Sequence, residues 1–280
     1  MRARAIVSFA REAEHLALGR ATVDPLTSDA QPAVRRTPRV VCTLPTYNEA
    51  GNIVALAEEI LALDPEFQVL VIDDHSPDGT WRVVEKARDE IPLPRLHLLH
   101  RTTERGRGRA GRDGFVRALA MGADIVIEMD ADFSHQPRHI PEMIAALQDP
   151  ARGVGLVLGS RAVSGGRDAD RGLFRQWLTK CANLYIRVLL GVPVRDCNSG
   201  FRAWKRATLE RIDVANTQSP GPAIVQELLY KTARAKIGIA EVPIVFANRL
   251  HGESTLTFRL LLQGYTTVLK LRWLSLCGRI

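Results

Sequence analysis

From Arg39 onward, short β-branched runs alternate with segments of helical spacing. Val40-Val41-Cys42-Thr43-Leu44 is a continuous apolar run ended by Pro45, too short for a buried helix, and it predicts a strand. Ile53, Leu56, Ala57, Ile60 and Leu61 then recur at helical spacing. Phe67 to Ile72 predicts a second strand, closed by Asp73-Asp74 and the turn Ser76-Pro77-Asp78-Gly79. A helix over 80–90, a strand over 96–99 and a helix over 110–121 follow, and the run Ile125 to Met129 leads straight into Asp130-Ala131-Asp132. Beyond these the pattern predicts a strand over 154–160, a Gly/Arg/Asp-rich loop over 161–172 and a helix over 173–190. The last third reads as a helix around 224–235, a strand over 239–246, a polar loop over 248–255 and a closing helix from about 256 to 276. Continuous apolar strands alternating with amphipathic helices predict an α/β protein whose mostly parallel sheet is covered on both faces. In such sheets ligands bind at the carboxyl ends of the strands. Tyr47 to Glu49, Asp73-Asp74 and Asp130 to Asp132 are therefore expected to share one crevice.

Residues 1–38 break this pattern. Thr22 to Pro38 holds three prolines and no apolar period, and the segment is expected to be a poorly ordered extension. Over the whole 280 residues, 46% are hydrophobic and 25% charged, which excludes a disordered chain. The four cysteines, Cys42, Cys181, Cys197 and Cys277, lie far apart and form neither a disulfide framework nor a zinc-ligand spacing. No run of 18 apolar residues encodes a membrane span, and the first 20 residues have no long apolar stretch of the signal-peptide kind. A cytoplasmic protein is expected. Of the 38 basic residues, 32 are arginine, and the net charge is +7. Arginine binds phosphate in a bidentate way, so the excess points either to a polyanionic partner (nucleic acid, nucleotide or anionic membrane) or to coding bias.

The candidate chemistry sits where the strands end. Alternate residues at a strand end can turn two carboxylates toward one point, so Asp130 and Asp132 suit a Mg²⁺ or Mn²⁺ ion shared with diphosphate oxygens; the other reading is a solvated loop with a helix cap. Asp73-Asp74 either accepts hydrogen bonds from a ribose or base or caps the following helix. Pro45-Thr46-Tyr47-Asn48-Glu49 adds an aromatic ring and an acid, or simply a turn and a helix start. The segment Arg105 to Arg112 is Gly-rich and basic and is either an anion cradle or a solvated face. It has no GxGxxG and no Walker lysine, so neither dinucleotide fingerprint is present.

In order along the chain, these motifs resemble the dolichol- or polyprenol-phosphate mannosyltransferases of the inverting family 2 glycosyltransferases, which have a GT-A fold. The carrying residues are Pro45 to Glu49, Val71 to Thr80, Gly106 to Gly114, Glu128 to His135, Gly159-Ser160-Arg161, Asn198 to Arg202, and Glu241 to Ser254. The resemblance spans about Arg39 to Leu256. It implies a catalytic domain over 39–255, followed by a helix over 256–280 that is either packed on the core or interfacial with a membrane. It also implies that Pro45, Tyr47, Glu49, Ile72 and Asp74 hold the nucleoside of GDP-mannose, and that Asp130, Ala131 and Asp132 form the metal and diphosphate site. Arg161 and Arg249 match basic residues at the donor phosphates and the transferred sugar. Ser134 stands where some members supply a metal ligand as Gln. Thr255 replaces a usual Lys, and the Gly221 to Glu227 segment keeps Gly and Glu but loses the usual aromatics and shifts the Gln.

The implied reaction moves mannose from GDP-mannose to a polyprenyl phosphate. An acceptor phosphate, with a second pKa of about 6, is already an oxyanion at neutral pH and needs no strong general base. The metal ion and arginines would stabilise the departing GDP. Arg175, Thr179 and Lys180 either hold the acceptor phosphate or form a solvated helix face. Asp196 either serves a hydroxyl acceptor or forms a turn. A different donor or a hydroxyl acceptor keeps the same fold. An Arg-rich binding module for nucleic acid does not suit a crevice lined by Asp73, Asp74, Asp130 and Asp132, and no nucleic acid is expected. The lipid acceptor implies a peripheral contact with the cytoplasmic membrane face or a membrane partner protein.

Overall fold

The structure, a computed structural model, describes residues 37–90, 95–168, 173–247, 266–274 and 277, leaving aside the side chains of 90 and 173–175. Residues 1–36 of the expected extension, the loop carrying Arg249 and Thr255, and the first part of the expected closing helix lie outside the described residues. The chain divides into Met1–Thr37 and Pro38–Ile280, and every described helix and strand lies in the second unit.

The strands, in chain order, are β1 (Val40–Thr46), β2 (Gln68–Asp73), β3 (Leu96–His100), β4 (Ile125–Glu128), β5 (Val154–Ser160), β6 (Arg167–Asp168), β7 (Arg202–Lys205), β8 (Gly238–Pro243) and β9 (Val245–Phe246). The helices are α1 (Ile53–Leu63), α2 (Thr80–Glu90), α3 (Arg107–Ala120), α4 (Ile140–Gln148), α5 (Leu173–Leu190), α6 (Arg206–Arg211) and α7 (Ile224–Arg234), and residues 266–274 are also helical. The main sheet runs β3-β2-β1-β4-β7-β5-β8. Only β7 is antiparallel to its neighbours β4 and β5, so the sheet is mostly parallel, as the sequence pattern predicts. Side chains alternate across it. Val40, Cys42 and Leu44 of β1 enter a core shared with α1, α2 and α4, while Val41 enters the opposite core with α3, α5, α6, α7 and the helical stretch 266–274.

Three differences from the sequence reading have local causes. Helix α3 begins at Arg107 rather than at 110 because its glycines let the first turn lie against the backbone of 219–221. The Gly108 N–H donates to Pro220 O at 3.0 Å, and a Cβ there would stand 2.1 Å from Ser219 O. Strand β7 was hidden by the charge of Arg202, yet that residue is fully buried. The strand expected over 239–246 is broken at Ile244, whose N–H bonds Ser160 O while its carbonyl accepts from Arg167 N–H. Beyond the break, β9 pairs with β6 inside the segment expected to be a loop.

Candidate active site

The register of the sheet sets Thr46 beside Asp73 and Asp73 beside His100, so the loops after β1, β2 and β3 leave the sheet at one edge. Three non-glycine residues hold left-handed backbone in the loops after β1, β2 and β4: Asn48 (φ 60°), His75 (φ 55°) and Phe133 (φ 62°). Such conformations cost about 1–3 kcal/mol each and cluster where geometry is imposed for function. Asp73 organises the first two loops. It accepts from Thr46 Oγ1 at 2.9 Å, from Ser76 N–H at 2.9 Å and from Ser76 Oγ at 2.5 Å, and Ser76 Oγ in turn accepts the Asn48 N–H at 3.1 Å. Asp78 adds a second tie, accepting from Ala50 N–H and from Thr80.

The residues matched to the nucleoside are placed unequally along this edge. Tyr47 is 51% exposed, with its ring open to solvent. Pro45 and Glu49 are half-buried, and the Glu49 carboxylate accepts from Asn52 Nδ2 at 2.7 Å. The Ile72 side chain is in the core: a Cβ added at Gly114 of α3 would come within 2.8 Å of it, so Ile72 reaches the edge through its backbone alone. Asp74 is buried and held by an ion pair with Arg101 and by the Gly106 N–H at 2.7 Å. That N–H and the one of Gly108 are thus both engaged within the protein, and the basic Gly-rich segment is a packing device at these two positions rather than an anion cradle.

At the end of β4, Asp130 faces outward with its side chain 38% exposed, whereas Ala131 and Asp132 are buried. Asp132 Oδ1 accepts from Ser134 N–H at 3.1 Å and from Ser134 Oγ at 2.5 Å, so Ser134 orients the carboxylate. His135 is buried between Phe201 and Phe246, with ring centroids at 5.2 and 5.3 Å. Its Nδ1 accepts the Asp130 N–H at 3.1 Å, which fixes a neutral ring protonated on Nε2. Burial pushes the imidazole below its ordinary value, outweighing the upward pull of Asp130 and Asp132. Gly200 lies beside Asp130: a Cβ there would make ordinary van der Waals contact, 3.6 Å, with both carboxylate oxygens. Among the described residues no group of three His, Cys, Asp or Glu gathers as a metal cage. The partly exposed Asp130 and the buried Asp132 supply hard oxygen donors, which fit Mg²⁺ or Mn²⁺, ions that keep waters and share phosphate oxygens.

The pairings of several candidate residues escaped the sequence reading. Arg107 reaches Glu128 Oε1 at 3.2 Å and Asp130 Oδ1 at 3.4 Å. Glu128 is itself buried, across the sheet from Arg202. The Arg202 guanidinium donates to Ser199, Val225 and Cys197 carbonyls, stapling the 197–201 loop to α7. Burial pushes its pKa down to about 10, so it remains cationic at neutral pH. Arg161, matched to the donor, makes a bidentate pair with Asp196 at 2.8 Å on both arms, and its guanidinium lies 4.9 Å from the Phe246 ring. Asp196 is held below the ordinary carboxylate range: burial works the other way, but Arg161 outweighs it. Lys180 is exposed on α5 and Thr179 half-buried, while the Arg175 side chain and Arg249 lie outside the described residues.

A mostly parallel sheet with an acid pair at the end of a central strand is the GT-A architecture. Glucosyl-3-phosphoglycerate synthase from Mycobacterium tuberculosis, solved with Mn²⁺, UDP and glucosyl-3-phosphoglycerate, shares it at a TM-score of 0.63 and 22% identity, over 86% of this chain and 80% of that one. Residues 42–213 match glycosyl transferase family 2, and the chain belongs to that family; it is a glycosyltransferase. Undecaprenyl-phosphate mannosyltransferase of Micrococcus luteus is 37% identical over 248 residues, 86% of this chain and 99% of the relative. Polyprenol monophosphomannose synthase of Mycolicibacterium smegmatis is 37% identical over 80% of this chain and 83% of its own. Dolichol-phosphate mannosyltransferase of Pyrococcus furiosus is 32% identical over 78% of this chain and 59% of its own.

Proposed function

We propose that the protein transfers mannose from GDP-mannose to a polyprenyl phosphate with inversion, using Mg²⁺ or Mn²⁺ held by Asp130 and Asp132. The observation that carries this reading is the acid pair at the end of β4, Asp130 partly exposed beside Gly200 and Asp132 buried, with no third His, Cys, Asp or Glu gathered with them among the described residues. The names of the curated relatives supply the sugar and the acceptor class. A divalent ion bound there supplies positive charge for the diphosphate leaving group. Tyr47, with its open ring, and Glu49 stand where the nucleoside is expected, and Arg249 completes the phosphate contacts by resemblance. The acceptor phosphate oxygen attacks the anomeric carbon from the face opposite GDP; the new C–O bond forms as the bond to the diphosphate breaks, turning an α-donor into a β-product. Asp196 supports a phosphate acceptor over a hydroxyl, because its carboxylate is buried, engaged by Arg161 and too weak a base to take a hydroxyl proton.

The acceptor is lipid-anchored, yet among the described residues no helix is long and apolar enough to cross a membrane. The reading therefore includes peripheral docking on an anionic bilayer. Trp177, Leu184 and Val188 form an exposed stripe on α5, and Leu269 and Trp273 are exposed on the helical stretch 266–274. Exposed Lys180, Arg187, Lys270 and Arg272 accompany them, and neither helix carries an acidic residue. The reading is tested by incubating the protein with GDP- and UDP-sugars, Mg²⁺ or Mn²⁺, and either a polyprenyl phosphate or hydroxyl acceptors. Mannose transfer to the phosphate from GDP-mannose alone is expected. Turnover with another donor, with a hydroxyl acceptor only, or undiminished in EDTA would overturn the matching part.

A further inference from the structure

Arg107 is the first residue of α3, and its guanidinium crosses from the helix start to the end of β4. There it lies 3.2 Å from Glu128 Oε1 and 3.4 Å from Asp130 Oδ1. The path is built for it. Gly111 follows one turn later, and a Cβ at that position would stand 3.1 Å from Arg107 Nη1. Behind the cluster Glu128 also faces Arg202 across the sheet, so Glu128 is bracketed by two cations while Asp130 meets Arg107 at the crevice side. Nη1 of Arg107 and Oε2 of Glu128 are buried with no hydrogen-bond partner, which leaves the cluster short of full satisfaction without a ligand. A guanidinium that touches Asp130 therefore stands within a few ångströms of any cation that carboxylate would bind.

We propose that Arg107 is a positioning residue that holds the Asp130 carboxylate and lowers the affinity of the site for a free divalent ion, so that the ion is held more firmly together with a nucleotide diphosphate than alone. The proposal rests on the donor-site reading above. A unit positive charge roughly 6 Å from a divalent ion weakens its binding about tenfold even at the screening of bulk water, and more where water is excluded. The negative charge of a diphosphate offsets the guanidinium, so the penalty falls on the bare ion and not on the ion–nucleotide pair. This biases the binding events: the bare ion binds about tenfold more weakly, which favours its binding together with the donor over binding beforehand.

The test is Mn²⁺ binding to the full-length protein, followed by the electron paramagnetic resonance of free Mn²⁺ with and without GDP. Arg107→Met is expected to bind Mn²⁺ without nucleotide about tenfold more tightly than the wild type, with a smaller gain when GDP is present. Arg107→Lys, which keeps the charge, is expected to stay close to the wild type. Because Arg107→Met leaves Glu128 with one counter-ion fewer, it is paired with the double variant Arg107→Met with Glu128→Gln, which removes one positive and one negative charge near the ion and is expected to show a smaller gain than Arg107→Met alone. Unchanged or weaker Mn²⁺ binding in Arg107→Met, or a double variant that binds Mn²⁺ more tightly than Arg107→Met, with the wild type still binding Mn²⁺ plus GDP, overturns the role of Arg107 and leaves the donor site standing. No Mn²⁺ binding in any form, even with GDP, overturns the metal reading and this proposal together.

Discussion

At Asp132 the burial and the Ser134 hydrogen bonds fix one carboxylate at the place where the leaving group would sit. Asp132→Ala is expected to cut transfer by more than about tenfold, equivalent to roughly 1.4 kcal/mol in the barrier; a variant keeping more than a tenth of the wild-type rate would remove Asp132 from the site. Asp196→Ala strands the Arg161 guanidinium away from water, and losing one member of a buried pair costs about 3–5 kcal/mol. Urea unfolding measures this, and a loss below about 1 kcal/mol would mean that water reaches the pair. His135 gives the sign of a pH effect. Its folded pKa lies below the unfolded value of about 6.5, so in acid the unfolded chain takes up a proton that the folded protein excludes. Stability should therefore fall as pH drops below about 6.5. In His135→Asn, where an amide oxygen can accept the Asp130 N–H, the fall should be shallower; His97 and His139 are shifted the same way and keep part of it. Identical pH profiles for the two proteins would exclude His135 as a source. The positions of the acid pair and of the strand-end loops were legible because unbroken apolar runs end at them, but which acid braces a loop, as Asp73 does, was not. The Arg161–Asp196 and Arg107–Asp130 pairings were not, because partners 35 and 23 positions apart meet only through the fold.

Helix α3 shows what an element hides from pattern reading. Its glycines read in the sequence as part of either an anion cradle or a solvated face, but they serve close approach to the 219–221 backbone and to Ile72. Gly108→Ala would push a methyl group against two backbone carbonyls, Ser219 O and Gly221 O, at 2.1 and 2.6 Å, where neither can move alone. A loss of about 1–3 kcal/mol is expected from such overpacking. Gly51→Ala, where an added Cβ meets nothing within 4 Å, should stay within about 0.5 kcal/mol. Equal stabilities of the two variants in urea would show that α3 is free to shift. The loop that α3 packs on is held from the other side by Glu227, which accepts the Gln218 and Ser219 N–H groups at 2.9 and 2.7 Å. The retained acid of the Gly221 to Glu227 segment is thus a structural ligand of its own loop. Parallel strands with unbroken apolar runs, β1, β2, β4 and β5, were visible in the sequence to within two residues at either end. Strand β7 was not, because its first residue is a fully buried arginine whose charge is met by carbonyls and by Glu128 rather than by solvent.

Beyond the two core layers, one set of large apolar residues is exposed to solvent. Helix α5 and the stretch 266–274 turn Ile186, Leu190, Val268 and Leu271 into the same core cluster and turn Trp177, Leu184, Val188, Leu269 and Trp273 outward. The stretch 266–274 is core-packed along one face, which decides how its outer face is tested: removing it would strip buried Val268, Leu271 and Leu274 from the core, whereas outward point changes leave the packing in place. On α5 the outward residues sit at i, i+7 and i+11, one stripe of a helix, flanked by Lys180 and Arg187. Tryptophan at the level of the headgroups and cations beside it bind an anionic surface by two contributions, of which only the electrostatic one is screened by salt. The purified protein is expected to sediment with vesicles rich in anionic lipid at low salt, less so at high salt, and poorly with neutral vesicles. Trp177→Ser together with Trp273→Ser should reduce the bound fraction several-fold at every salt concentration. The same double variant should keep wild-type thermal stability and transfer to a short, water-soluble polyprenyl phosphate, because neither indole lies in either core. Sedimentation that the double variant leaves unchanged, or that neutral vesicles support equally, would move the bilayer contact to another surface of the molecule.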